Sequence, residues 1–162
     1  MKSIAIAALK GGVGKSTIAT NVARWAWAYG LNTLLVDCDP QGTSQGWSTT
    51  AAALDIPGPT TVSLDATSAN LRNAVKDLGT GRDLVVIDTP PALDKSTRGS
   101  LMAGDLVVLP VTPSGADVWA RSKTVGLVSE AREFRPDLDA VIALNRVQTR
   151  RAVSEDVRVA LA

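Results

Sequence analysis

The chain has no histidine and a single cysteine, and its formal charge is almost balanced at +1. Each scarcity removes a class of chemistry. Without imidazole there is no histidine general base, no His–Asp dyad and no His-ligated metal centre. The lone Cys38 cannot close an internal disulfide or build a zinc or cluster site within one chain. A reducing cytoplasm suits that count. Near-neutral charge argues against a chain permanently coated by a polyanion and leaves room for a local basic face. No apolar run is long enough to cross a bilayer. The opening residues 1–9 carry a short apolar run that leads straight into Lys10-Gly11-Gly12, so they read as a strand and not as a leader. Residues 157–162 form no basic amphipathic anchor, and no membrane partner is expected.

What the chain does have is 162 residues, of which 45% are hydrophobic. That suffices for one compact domain over residues 1–162 with a buried core. Apolar runs alternate with amphipathic stretches. Strands are expected at 4–8, 33–36, 84–87, 106–109 and 140–144, with an edge strand at 61–64. Helices are expected at 16–29, 45–54, 70–78, 96–103 and 116–134, and a last one from about Ser154. Continuous β-branched runs mark strands buried on both faces, as in a parallel sheet. Regular strand–helix alternation predicts a doubly wound α/β fold, whose ligand site lies at the carboxyl ends of the strands.

Three motifs fall at those ends. The first is KGGVGKST, residues 10–17. Gly11, Gly12 and Gly14 permit a backbone that curls its N–H groups around an anion, with Val13 among them. A helix opens at Ser16 and adds partial positive charge. Lys15 is placed for β- and γ-phosphates, the Ser16 hydroxyl for Mg²⁺ and Thr17 for the α-phosphate. The second motif is VDCDPQG, residues 36–42. Two carboxylates at the end of a buried strand are costly without a task. Asp37 is placed to hold Mg²⁺ through water, and Asp39 either orients an attacking water or merely starts a turn at Pro40. The third is VIDTPP, residues 86–91. There Asp88 follows four apolar residues and can reach a phosphate-bound Mg²⁺. Thr89-Pro90-Pro91 starts a stiff loop suited to sensing the γ-phosphate.

Together with LPVTPS at 109–114, these motifs resemble the ParA/MinD superfamily of deviant Walker ATPases. The resemblance spans Ser3 to about Arg151. DPQG at 39–42 resembles the ParA branch, as does VTPSGAD at 111–117. The resemblance implies ATP and Mg²⁺ as cofactors and a slow hydrolysis to ADP and phosphate. It implies that Lys10 crosses a dimer interface to the partner's nucleotide. Lys15, Ser16 and Thr17 match the phosphate and Mg²⁺ ligands, Asp39 the hydrolytic residue, Asp88 the Walker B aspartate and Asn145 an adenine contact. It further implies an ATP-dependent homodimer that binds DNA without sequence preference. A cargo-bound ParB-like or other small basic protein would stimulate hydrolysis, and the ATP form would sit on the nucleoid within the cytoplasm.

The chain is shorter at its C-terminal end than the family pattern. A natural short form, a frameshifted product and a truncation all fit, and the adenine side and the family's C-terminal DNA-binding surface are affected. Arg121, Lys123, Arg132, Arg135, Arg146, Arg150 and Arg151 gather late in the sequence. They are either ordinary solvated charges or a salt-sensitive DNA surface, with Arg150-Arg151 the best candidate. Relatives with an iron–sulfur cluster are excluded by counting, because a dimer offers two thiolates where four are needed. Cys38 then reads as a small buried residue. Trp25 and Trp27 cannot share a helix face, so one is expected in the core and the other partly exposed. Three other functions stay open: a MinD-like positioning ATPase, a small-molecule synthetase on the same fold, and a non-catalytic interaction protein.

Overall fold

The structure is a computed structural model, and it describes residues 1–8, 10–66, 71–91, 99, 101–113, 126 and 128–147. Six strands alternate with helices: β1 (Lys2–Ile6), α1 (Lys15–Ala28), β2 (Thr33–Asp37), α2 (Thr43–Ala53), β3 (Thr60–Ser63), α3 (Leu71–Leu78), β4 (Leu84–Asp88), β5 (Leu106–Val111) and β6 (Asp139–Leu144). The strands form one sheet in the order β3-β2-β4-β1-β5-β6. Every pairing is parallel. The doubly wound parallel sheet expected from the strand–helix alternation is therefore present.

Strand residues alternate between two apolar layers. Ile6, Leu35, Leu84 and Val86 pack with Ala19, Ala23 and Ala26 of α1. Leu34, Val36, Val85 and Ile87 join Leu71 and Val75 of α3 on the opposite face. Small alanines on α1 let the helix lie close to the sheet, and each fully buried Leu, Ile or Val contributes about 1.5–3 kcal/mol. β1 starts and ends two residues earlier than the apolar run suggests. Ala7 has left the strand but still donates its N–H to the Val108 carbonyl at 3.0 Å. β5 runs on through Pro110 to Val111. β1 pairs with it only as far as Val108, so the missing proline N–H points where no strand remains to accept from it.

Chain order reverses direction between β4 and β5, on either side of β1. That places the ends of β1, β2 and β4 side by side. Ile6, Asp37 and Asp88 lie level across the sheet.

Two expectations are corrected. Neither Trp25 nor Trp27 is in the core: Trp25 is 61% exposed and stacks on Tyr29 at 4.5 Å, while Trp27 is half-buried beneath the Arg24 guanidinium. The alanines fill the buried face of α1 instead. Arg135, grouped with the late basic residues, is only 4% exposed. Its Nη1 donates to the carbonyls of Met102 at 2.9 Å and Gly104 at 2.7 Å, and its Nη2 pairs with Asp137 at 2.7 Å. Asp105, 3.7 Å from that Nη2, also accepts from Ser3 Oγ and Ser3 N at 2.9 Å. The network thus joins the starts of β1, β5 and β6. Arg132 likewise turns inward, with Nε on the Leu138 carbonyl at 2.9 Å. The expected helices at 96–103 and 116–134 are described only in part, as helical residues 99, 101–103, 126 and 128–134. Arg121, Lys123, Arg150, Arg151 and the helix from Ser154 lie outside the described residues.

Arg135→Met should lower unfolding free energy by about 3 kcal/mol, because two buried carbonyls and Asp105 lose a charged donor. Urea denaturation at an unchanged m-value is the check; a loss below about 0.5 kcal/mol would mean the network is not structural.

Candidate nucleotide and metal site

The loop after β1 is built to leave one helix end open. Gly12 and Gly14 have φ of 77° and 95°, in the left-handed region where a side chain is strained. A Cβ on Gly14 would also run into Asn145 Nδ2. α1 begins at Lys15 with no side-chain cap and no acidic residue in its first turn. Its leading N–H groups and the positive end of its dipole therefore face the loop unneutralised, an arrangement that favours an anion.

The neighbouring helix shows the contrast. The N–H of Gln45, in the first turn of α2, donates to Asp37 Oδ2 at 2.8 Å. Asp37 Oδ1 accepts the Asp39 N–H at 3.0 Å. One carboxylate thus closes the end of α2 and shapes the loop between β2 and α2. Asp39 Oδ1 in turn accepts the Gln41 N–H at 2.9 Å. That hydrogen bond uses one Asp39 oxygen and leaves the other for a further partner.

Asp88 is fully buried. Its Oδ2 accepts from Ser44 Oγ at 2.7 Å, and its Oδ1 has no hydrogen-bond partner among the described residues. Burial pushes its carboxyl above the ordinary carboxylate range and Asp37 pushes the same way, while the hydroxyls of Ser16 and Ser44 and the Lys15 ammonium act against this. Lys15 is 6% exposed. Burial holds its ammonium below its usual value, and Asp88 and Asp39 pull it back up. The two buried charges thus favour each other's ionised form against the cost of burial.

The donor set fits Mg²⁺. The orphaned Asp88 oxygen is a hard ligand, the Ser16 hydroxyl stands beside it, and a small cation that keeps most of its waters needs few protein ligands. No group of three or more His, Cys, Asp or Glu side chains that would cage a metal occurs among the described residues. That also suits an ion shared with phosphate oxygens.

Of the residues singled out from sequence, Gly11–Thr17, Asp37, Asp39 and Asp88 lie at the carboxyl edge of β1, β2 and β4. Lys10 is exposed at the start of the loop. Thr89 is buried, with Oγ1 donating to the Ile6 carbonyl at 2.9 Å, and so locks the end of β4 to β1. Cys38 is buried against the acidic edge, and burial followed by Asp37, Asp88 and Asp65 pushes its thiol up to about 12. It is a packing residue and a poor nucleophile. Sequence reasoning missed Ser44, which is fully buried and bonded to Asp88. Its signal was a polar residue on the inward side of a helix that was expected to begin one residue later.

Asn145 comes to the site from 132 residues away. Its Nδ2 donates to the Val13 carbonyl at 2.8 Å, and its Oδ1 accepts the Arg146 N–H at 2.9 Å. The amide fastens the phosphate loop to the end of β6 and, among the described residues, keeps one N–H and one lone pair unspent. Asn145→Ala should weaken ATP and GTP binding alike, by about tenfold, since the loop loses its clamp. Calorimetric titration of both nucleotides checks this; a loss confined to ATP would contradict the clamp.

Comparison with known proteins bears on the same edge of the sheet. Residues 4–158 match the family model described as the CobQ/CobB/MinD/ParA nucleotide binding domain. The chain is 34% identical over 163 residues to the maintenance of carboxysome distribution protein A of Halothiobacillus neapolitanus, covering 98% of this chain and 73% of that protein. It is 33% identical to the chromosome-partitioning ATPase Soj of Thermus thermophilus, over 89% of this chain and 67% of that one. Among solved structures, cobyrinic acid a,c-diamide synthase from Mycobacterium smegmatis with bound ADP and magnesium superposes with a TM-score of 0.84 at 23% identity, covering 99% of this chain and 80% of that one. The chain belongs to the CobQ/CobB/MinD/ParA family of nucleotide-binding domains, with its sequence relatives on the ParA side.

Proposed function

We propose that the protein is a ParA-type Mg²⁺-dependent ATPase that cycles between a monomer and an ATP-bound homodimer and positions or segregates a cargo. The observation that carries the reading is the buried Asp88 carboxylate, whose Oδ1 has no hydrogen-bond partner among the described residues, together with the uncapped helix end that opens with the buried Lys15. The relatives support the biological side. One is named for carboxysome distribution and one for chromosome partitioning.

In this reading Gly11, Gly12, Val13 and Gly14 wrap the phosphates with backbone N–H groups. Lys15 donates to the β- and γ-phosphate oxygens, and Thr17 reaches the α-phosphate. Ser16 and Asp88 would hold Mg²⁺, with Asp37 reaching it through water, and the ion would supply charge neutralisation on the phosphates. Asp39 has an oxygen left after its bond to Gln41, and it orients the attacking water. Phosphoryl transfer of this kind needs positioning and charge stabilisation more than covalent help from the protein. Asn145 acts on the nucleotide through the loop it clamps, by its bond to the Val13 carbonyl, and any adenine contact by its amide is secondary to that.

Lys10 is the oligomer-coupled part. Exposed at the mouth of the loop, it serves the nucleotide of the facing subunit, so ATP favours the dimer only through contacts the monomer lacks. Pairing two subunits doubles any weak basic surface, Arg150 and Arg151 included, and converts it into a salt-sensitive, sequence-blind hold on DNA. A small basic partner on the cargo then stimulates hydrolysis and releases the dimer.

Size-exclusion chromatography with light scattering tests the switch. Wild type should run as a monomer with ADP and a dimer with Mg²⁺-ATP, and Lys10→Ala should remain monomeric while keeping ATP affinity within about threefold. A monomer in both nucleotides for the wild type would overturn the proposal.

A further inference from the structure

The edge of the sheet opposite the phosphate loop carries a second recess. β2, β3 and β4 begin there. One cavity of about 310 Å³ is mixed in character, with Trp47, Ala51, Ile56, Pro57 and Pro59 beside Ser48 and Asp55. A second, of about 400 Å³, is polar and cationic, lined by Trp27, Asn32, Thr33, Thr60 and Arg82 among others. Gly58 lines both, so they adjoin at a residue with no side chain to divide them. A Cβ on Gly58 would come near only Arg24 Cδ, at 4.0 Å. None of this is explained by the nucleotide site.

The charges of the recess are incompletely matched. Arg82 Nη1 donates to Asn32 Oδ1 at 2.7 Å and to Thr60 Oγ1 at 3.3 Å. These bonds hold the guanidinium in place, while Nε and Nη2 meet no acceptor among the described residues. Outside the lining of either cavity, Arg24 lies over Trp27, 4.7 Å from the ring centre, and its buried Nη1 has no hydrogen-bond partner among the described residues. The nearby Asp83 carboxylate instead accepts the Asn32 N–H at 2.8 Å. The one carboxylate on the lining, Asp55, belongs to the Trp47 half. An incoming acid is therefore repelled from the Trp47 half and drawn to the Arg82 half. Leu54 and Ile56, 65% and 48% exposed, stand at the margin, where a larger partner can cover them.

We propose that this recess is a docking groove for an extended segment of a partner protein that carries an aspartate or glutamate next to bulky apolar residues. The acid sits against Arg82, and the apolar side chains cross Gly58 into the Trp47–Pro59 half. The fork of a guanidinium pre-set by Asn32 and Thr60 suits a carboxylate held through two N–H donors. A two-part recess with an exposed apolar margin suits a chain segment better than a compact metabolite. The groove lies at the far edge of the sheet from the ATP-binding loop, so this inference stands or falls separately from the nucleotide reading.

The test uses the full chain and end-capped synthetic peptides containing Asp-Leu-Leu, with Asn-Leu-Leu and free N-acetyl-aspartate as controls. Binding is read from indole and backbone N–H shifts in ¹H–¹⁵N spectra. The Asp peptide should shift the Trp27 and Trp47 indoles, and the Asn peptide should bind about tenfold more weakly. N-acetyl-aspartate alone should bind more weakly still. Arg82→Gln should erase the preference for Asp. Gly58→Val, which leaves both arginines in place and needs no unusual backbone, should weaken both peptides by walling off the Trp47 half. Both variants should keep wild-type circular dichroism and ATP affinity. Absence of shifts up to about 1 mM peptide, equal binding of the Asp and Asn peptides, or full binding by Gly58→Val would each overturn the groove.

Discussion

The fully buried carboxylate of Asp88 is the constraint on which the carboxyl edge of the sheet depends. A charge removed from water must meet other charges and donors or give up its ionisation. Here the answer is spread over two helices. Ser44 on α2 supplies one hydroxyl, Ser16 on α1 stands by with another, Lys15 brings the opposite charge, and Oδ1 is left over. The parallel order of the sheet makes this meeting inevitable, because Asp88 is level with Ile6 of β1 and Asp37 of β2. Everything around the phosphate loop is arranged about that row. Asp37 closes α2, nothing closes α1, and Asn145 ties the loop to the end of β6. Asp88 Oδ1 has no hydrogen-bond partner among the described residues, and α1 has no side-chain cap. A phosphate with its cation matches both.

Much of this was legible in the sequence, and the reasons are physical. Runs such as Leu84–Asp88 and Thr33–Asp37, buried at every position, announce strands covered on both faces. Glycines at 12 and 14 announce a backbone that other residues resist, and the two show positive φ. Short-range chemistry of that kind is written locally. Ser44 was not legible, because its role depends on where α2 begins and on a carboxylate 44 residues away. Arg135 was misjudged for the same reason. Its charge suggested surface, yet the two carbonyls that hold it belong to the turn before β5. Trp25 and Trp27 were misjudged because alanines, with no bulk to advertise, fill the buried side of α1. Long-range polar contacts and small-residue packing leave little trace in periodicity.

The two edges of the sheet divide the labour of the molecule. At the carboxyl edge, the glycines and the uncapped start of α1 leave a helix dipole end that favours an anion. At the opposite edge, the helix ends and the turns into β2, β3 and β4 leave Trp47, Ile56 and Arg82 around a recess. α1 and α2 run the full distance between these edges, with the phosphate loop and Asp37 at one end and the recess at the other. A segment bound at the far edge would thus rest on the same two helices that frame the nucleotide.

The central claim is that the orphaned oxygen of Asp88 and the open end of α1 are satisfied together by Mg²⁺ and the phosphates of ATP. The most direct test is the thermal unfolding midpoint measured with Mg²⁺ alone, with ATP in EDTA, and with both. Mg²⁺-ATP at roughly a hundredfold above Kd should raise the midpoint by about 5 °C or more, well beyond the sum of the separate effects. An equal rise with ATP in EDTA, or no rise with Mg²⁺-ATP, would contradict it.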